Sequence, residues 1–136
     1  MHRLSVSPRF YELDPYDHVN HSVYVQYFEA GRVDLLEEIG FGLTTMKDAG
    51  ISIVVTEILT RFVTPATYGD ELTVETSVSE LRRASSVWPQ RIVRGDDVIA
   101  TQVVKAAVLG PSGRPMRLPD GFAAAIEPHL ETTGGS

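Results

Sequence analysis

Residues 11–32 read YELDPYDHVNHSVYVQYFEAGR, and the rest of the chain is organised around this stretch. Its first half crowds Asp14, Asp17, His18, Asn20 and His21 into one short loop. Its second half opens a helix. From about Ser22 to Ile39, Val23, Tyr27, Ala30 and Val33 interleave with Tyr24, Phe28, Leu35, Leu36 and Ile39, a wide apolar stripe at helical period. Ser22 is the expected N-cap and Gly40 the stop. A helix N-terminus presents unpaired backbone N–H groups and a partial positive charge, so it can hold an anion or an oxygen that is becoming one. A carboxylate beside it is a candidate base or nucleophile.

Strand patterns flank this helix. Residues 4–10 alternate until Glu12, Asp14 and Pro15 break the pattern. Residues 51–63 are rich in β-branched types, and residues 71–82 place Leu72, Val74, Thr76 and Val78 on one face. Residues 85–94 contain Pro89, which predicts an edge position or a bulge. A turn at Gly95-Asp96-Asp97 leads to another strand over residues 98–109, and a short helix is expected near Asp120–Ile126. One long helix and an antiparallel sheet with short connections make an α+β layer. Residues 1–130 read as one domain and residues 131–136 as a disordered tail. A single helix leaves sheet surface uncovered, so self-association is expected.

The chain has 136 residues, 43% of them hydrophobic, with a net charge of −6. Such acidity argues against general nucleic-acid binding, which needs a basic face. The chain has no cysteine, which excludes disulfides, a thiol nucleophile and cysteine-based metal sites. No apolar run is long enough for a membrane span, and residues 1–10 have no signal-like core. A cytoplasmic location is therefore expected.

The run Asp14-Pro-Tyr-Asp-His18-Val-Asn20-His, with Tyr24, Tyr27-Phe28-Glu29 and Arg32, resembles the opening motif of the hotdog-fold acyl-CoA thioesterases of the 4-hydroxybenzoyl-CoA thioesterase-like branch. The resemblance continues through Phe62-Val-Thr-Pro65-Ala-Thr-Tyr-Gly69-Asp70-Glu-Leu72, then Arg82-Arg83-Ala-Ser85-Ser86, Gln90-Arg91-Ile92 and Gly113-Arg114-Pro115. It covers roughly residues 3–120. It implies a helix wrapped by a five- or six-stranded antiparallel sheet, paired as a homodimer or homotetramer with the active site at the subunit interface. It also implies hydrolysis of an acyl-CoA with water as second substrate and no cofactor. Asp17 departs from the family pattern, in which glycine is frequent at this place, but Asp tolerates a left-handed backbone.

In the resembling family the acid at the Asp14 position attacks the thioester carbonyl or activates a water. The oxyanion donor is a backbone N–H at the helix start, here near His21. His18 is a candidate to orient or polarise, and Asn20 to hold a water or the loop. Against these roles stands a plain Asx-turn at Asp14. Asp17 is a rival base, since two neighbouring carboxylates shift one another. His18 and His21 with Asp14 and Asp17 make only a weak case for a metal site, and none is expected. Tyr24 is a candidate for the acyl pocket. Arg82 and Arg83 are candidates for CoA phosphates, with Arg61, Arg91, Arg94, Lys105 and Arg114 as further options. Glu29 and Arg32 are expected to pair on the helix surface. An acyl-carrier-protein thioesterase and a non-hydrolytic acyl-CoA-binding protein are the alternatives; a dehydratase fits less well.

Overall fold

Asn20, not Ser22, caps the long helix. Its Oδ1 accepts the Ser22 N–H at 3.0 Å and the Ser22 hydroxyl at 2.9 Å, satisfying groups the helix itself leaves unpaired. Helix α1 (His21–Glu38) follows and stops where Gly40 takes a φ of +86°. This arrangement is seen in a computed structural model that describes residues 1–131. Residues 132–136, where most of the expected tail falls, lie outside the described residues. Glu131 itself donates its N–H to the Val78 carbonyl at 2.7 Å.

Six strands form one antiparallel sheet: β1 (His2–Val6), β2 (Ser52–Phe62), β3 (Leu72–Thr76), β4 (Glu80–Leu81), β5 (Ser85–Arg94) and β6 (Asp97–Leu109). The order is β1-β3-β5-β6-β2, and β4 pairs with β5 beyond the end of β3. Helix α1 packs on one face of this sheet. Two short helices, α2 (Leu43–Asp48) and α3 (Phe122–Ile126), follow α1 and β6. This agrees with the five- or six-stranded hotdog arrangement that the resemblance implies, with six strands present. The sequence reading has no α2, because its six residues bury only Met46 and so carry no readable period.

Three strand expectations change. The first strand ends at Val6, and residues 10–12 turn as a single 3-10 element. The segment at 71–82 is interrupted: Val78 N–H donates to the His129 carbonyl at 3.0 Å, so there the ladder passes to the C-terminal segment. Pro89 is not on an edge, but the register opposite it slips by one residue, between the Thr76–Gln90 and Glu80–Val87 pairs. Strand β5 runs between β3 and β6, and the Pro89 carbonyl accepts the Ser77 N–H at 3.1 Å. Carbonyl and ring nitrogen of one strand residue point the same way, so the missing N–H falls at the break between β3 and β4.

The buried apolar residues form two clusters. One joins Val23, Tyr24, Tyr27 and Phe28 to Leu72, Val74 and Ile92; the other joins Leu35 and Leu36 to Trp88, Val104, Phe122 and Ile126. Between them lies a polar layer. Arg32 does not pair with Glu29 on the surface; its Nη1 donates to Gln90 Oε1 and Gln102 Oε1, each at 2.8 Å. Gln90 Nε2 donates in turn to the Phe28 carbonyl and Thr76 Oγ1, and Gln102 Nε2 to Thr60 Oγ1. Gly31 lets the helix approach here, since a Cβ at this position would stand 2.7 Å from Val74 Cγ1. Strand β2 ends the sheet as an eleven-residue edge on which Val54, Val55, Ile58, Leu59 and Phe62 are exposed.

Gly31→Ala tests the close approach. Alanine favours a helix interior by about 1 kcal/mol, but the methyl group overpacks the sheet at a cost of about 1–3 kcal/mol. A lower urea midpoint is the expected result; a raised midpoint contradicts this reading of the contact.

Candidate active site

The loop before α1 is closed by its own polar groups. Asp14 N–H donates to the His18 carbonyl at 2.7 Å, and Asp14 Oδ1 accepts the N–H groups of Tyr16 at 2.8 Å and His18 at 3.2 Å. Asp14 therefore does form the Asx-turn, but with one oxygen. Its Oδ2 has no hydrogen-bond donor among the described residues. Asp17 occupies the tight corner at a φ of +63°, as the glycine departure suggested. Its carbonyl accepts the Thr67 hydroxyl at 2.7 Å.

A cleft of about 310 Å³ opens beside this loop, lined by Asp14, His18, Val19, His21, Tyr24 and residues 62–65. Four sequence candidates, Asp14, His18, His21 and Tyr24, thus meet in one place. Asp17 does not line it. Asn20 does not line it either: its side chain is committed to the cap described above. The His21 backbone N–H, first of the helix, has no acceptor among the described residues. The His21 ring meets Phe62 edge-on at 6.3 Å, and Tyr24 lies 5.8 Å from the same ring. Burial pushes the Tyr24 phenol up, with the Asp14 charge adding to it and the Ala66 N–H partly offsetting it. Tyr24 accordingly stays a hydroxyl donor at working pH.

The segment over residues 62–70 supplies the opposite wall. The Ala66 N–H donates to Tyr24 Oη at 2.9 Å, and the Ala66 carbonyl accepts the Val19 N–H at 2.8 Å. Asp70 Oδ2 accepts the Thr67 N–H at 2.9 Å and Arg94 Nη1 at 2.8 Å. Sequence reasoning gave no role to Phe62, Val63, Thr64 and Pro65, which line the cleft, or to Asp70 behind them, and offered Arg94 only as a further option for CoA phosphates. The signal was the Pro65 and Gly69-Asp70 pattern, which matched the resembling family without suggesting a role.

Arg82 and Arg83 lie elsewhere. They precede Ser85, which pairs with Ala107 of β6, whereas Phe62 at the cleft pairs with Ala100. Along β6 that separation is about 23 Å. Arg82 pairs with Glu80 at 3.4 Å. Arg83 lines a separate depression with Pro115, Met116 and Arg117. Of the further options, Arg91 pairs with Glu75, Arg94 with Asp70 and Lys105 with Glu57.

Comparison with known proteins agrees with this architecture. Residues 8–126 match the family described as the thioesterase-like superfamily. The chain belongs to that superfamily, as a thioester hydrolase of the hotdog fold. It is 30% identical to the acyl-CoA thioesterase YbgC of Haemophilus influenzae, over 83% of this chain and 84% of that protein. It is 28% identical to the chloroplastic acyl-acyl carrier protein thioesterase ATL3 of Arabidopsis thaliana, over 87% of this chain, and spans 63% of that longer relative. Among solved structures, the hypothetical protein TT1821 from Thermus thermophilus superposes with a TM-score of 0.87 at 27% identity, covering 95% of this chain and 99% of that one.

The Thr67 N–H, and after it Arg94, hold the Asp70 carboxyl below the usual carboxylate range. A depressed folded value stabilises above the unfolded value, and that stability is lost as pH falls through the folded one. Asp70→Asn should therefore lower stability at neutral pH, and its deficit should shrink below about pH 4. Urea unfolding over a pH series measures this; a deficit that persists unchanged into acid refutes the linkage.

Proposed function

We propose that this chain hydrolyses an acyl-CoA thioester to a carboxylic acid and free CoA, with Asp14 acting at the reacting carbonyl. One observation carries the reading: the cleft holds an unbonded carboxylate oxygen and an unbonded helix-start N–H, on Asp14 and His21. On the general-base route, Asp14 takes a proton from water as the water oxygen adds to the carbonyl carbon. The oxyanion accepts the His21 N–H, with the helix dipole behind it. The C–S bond then breaks, and the thiolate takes a proton. On the nucleophilic route the carboxylate adds first, and water hydrolyses the resulting anhydride. His18 and Tyr24 contribute donors in the cleft. Asn20 is a positioning residue: it fixes the helix start and so the His21 N–H.

The phosphate end of CoA fits the arginine cluster, to which Arg117 is now added, only across a subunit boundary. We infer a dimer paired along β2, whose exposed apolar residues make an unblocked edge of the kind proteins otherwise protect. A two-fold pairing of β2 with itself sets the Ser52 end of one strand beside the Phe62 end of the other. That brings the partner's Arg82 and Arg83 to the same end of the joined sheet as this cleft. A carrier-protein thioester is the second reading, favoured by the Arabidopsis relative. It offers the same thioester on the same pantetheine arm.

The test is thiol release from a panel of aromatic and straight-chain acyl-CoAs. Asp14→Asn and Asp14→Ala should lower kcat by about 10²–10⁴-fold, the scale of a lost general base, while Asp17→Asn retains activity. Turnover unchanged at Asp14 but abolished at Asp17 overturns the assignment. Binding without turnover on every substrate moves the protein to a binding role. For the arginines, a joint Arg83→Ala and Arg117→Ala variant should raise KM for acyl-CoA and leave the matching acyl-pantetheine, which lacks the nucleotide phosphates, unaffected. Equal effects on both substrates remove the cluster from the phosphate site.

A further inference from the structure

Tyr27 stands on the buried side of α1, about 9 Å along the helix from His21. Helical side chains lean back toward the helix start, so this one reaches the loop before it. Its hydroxyl donates to Glu12 Oε1 at 2.7 Å. Burial pushes the Tyr27 phenol well above its ordinary range, with the Glu12 hydrogen bond and charge adding to it and Arg9 partly offsetting them. The hydroxyl therefore keeps its proton and stays a donor. Glu12 Oε1 also accepts the Arg9 N–H at 2.7 Å, which ties the carboxylate to the 3-10 turn Phe10–Glu12.

Glu12 is also the root of the Asp14 loop. Its carbonyl accepts the Asn20 N–H at 2.9 Å, and two residues further in the Asp14 N–H donates to the His18 carbonyl. Leu13 and Val19 face each other between these bonds. Residues 12–20 are thus a small hairpin, closed at its root by Glu12 and Asn20. On one side the root leads to Asp14; on the other, Asn20 caps α1 and leads into His21. A tilt of this root moves the Asp14 carboxylate relative to the His21 N–H. Val19 is the only buried residue from 11 to 20, so apolar packing holds the hairpin weakly. The hydrogen bond from Tyr27 gives it a fixed point on the helix body.

We infer that Glu12 and Tyr27 are positioning residues for the thioester chemistry: their hydrogen bond fixes the root of the hairpin to α1 and so holds the Asp14 carboxylate in register with the His21 N–H. Neither lines the cleft, so both act through other residues. The inference rests on the acyl-CoA reading and adds to it the link that sets its geometry. A misplacement of about 1 Å costs up to about 10²-fold in rate. Such a loss falls on kcat, because the two groups must act together only in the transition state.

The test measures kcat and KM for the acyl-CoA of the panel above that turns over fastest, well below each variant's melting midpoint. Tyr27→Phe keeps the ring and removes only the hydroxyl. It should lower kcat by about 10–100-fold and leave KM within about twofold. Glu12→Ala should do the same. The joint variant should be no slower than the slower single one, since both changes remove one bond. Glu12→Gln keeps an acceptor oxygen and should retain most of the wild-type kcat. A pair with a purely structural role lowers the melting midpoint and leaves kcat per folded molecule unchanged; that result overturns the inference. Losses that multiply in the joint variant overturn it too, as does Glu12→Gln as slow as Glu12→Ala. Should Glu12→Ala fail to fold, Tyr27→Phe and Glu12→Gln decide between the two roles. Asp14-dependent turnover with Tyr27→Phe at full rate removes the inference and leaves the thioesterase reading intact. A wild type without turnover on any member of the panel removes both.

Discussion

Two glutamines facing each other across β5 and β6 fix where the helix lies. Gln90 and Gln102 are adjacent in register and almost fully buried, and both aim their oxygens at Arg32. A polar group buried in this way must be fully matched, which leaves little freedom of position. The helix cannot slide along the sheet without separating the guanidinium from both amides. Gly31, next in the chain, removes the steric bar to that approach. The two apolar clusters on either side then pack at a spacing the polar layer has set.

Once the helix is set in register, its first turn is also set, and the cleft is assembled from there. Tyr24 accepts the Ala66 N–H, and the Ala66 carbonyl takes the Val19 N–H. One short loop is thereby tied both to the helix and to the Asp14 turn. Asp70 and Arg94 hold that loop from behind. The residues around the carboxylate are thus fixed by backbone contacts more than by one another, which suits the proposed role of the site, since a preorganised site stabilises a forming charge without reorganisation.

Most of this architecture was legible in the chain. The helix, the alternating strands and the crowding of Asp14, His18 and His21 before Tyr24 all follow from local spacing. What could not be read were facts of distance. Pro89 looked like an edge residue because the break opposite it is made by a different strand. Arg32 looked like a surface partner of Glu29 because its true partners, Gln90 and Gln102, are far along the chain. Arg82 and Arg83 could be proposed for CoA phosphates, but local spacing does not show that a strand's length separates them from the cleft within one chain. Helix α2 has too few buried positions to show a period. Asp17, where the residue type argued against the motif, kept the left-handed turn.

The break between β3 and β4 has a consequence for biosynthesis. Val78 is wholly buried, yet its N–H and carbonyl are matched by His129 and Glu131, almost at the far end of the described chain. While the protein is being made, most of the sheet can form before that segment has left the ribosome. Val78 must wait with its backbone unpaired. The domain therefore closes only after translation of residue 131, so a chain stalled shortly before that point presents an open seam in its core to chaperones and proteases.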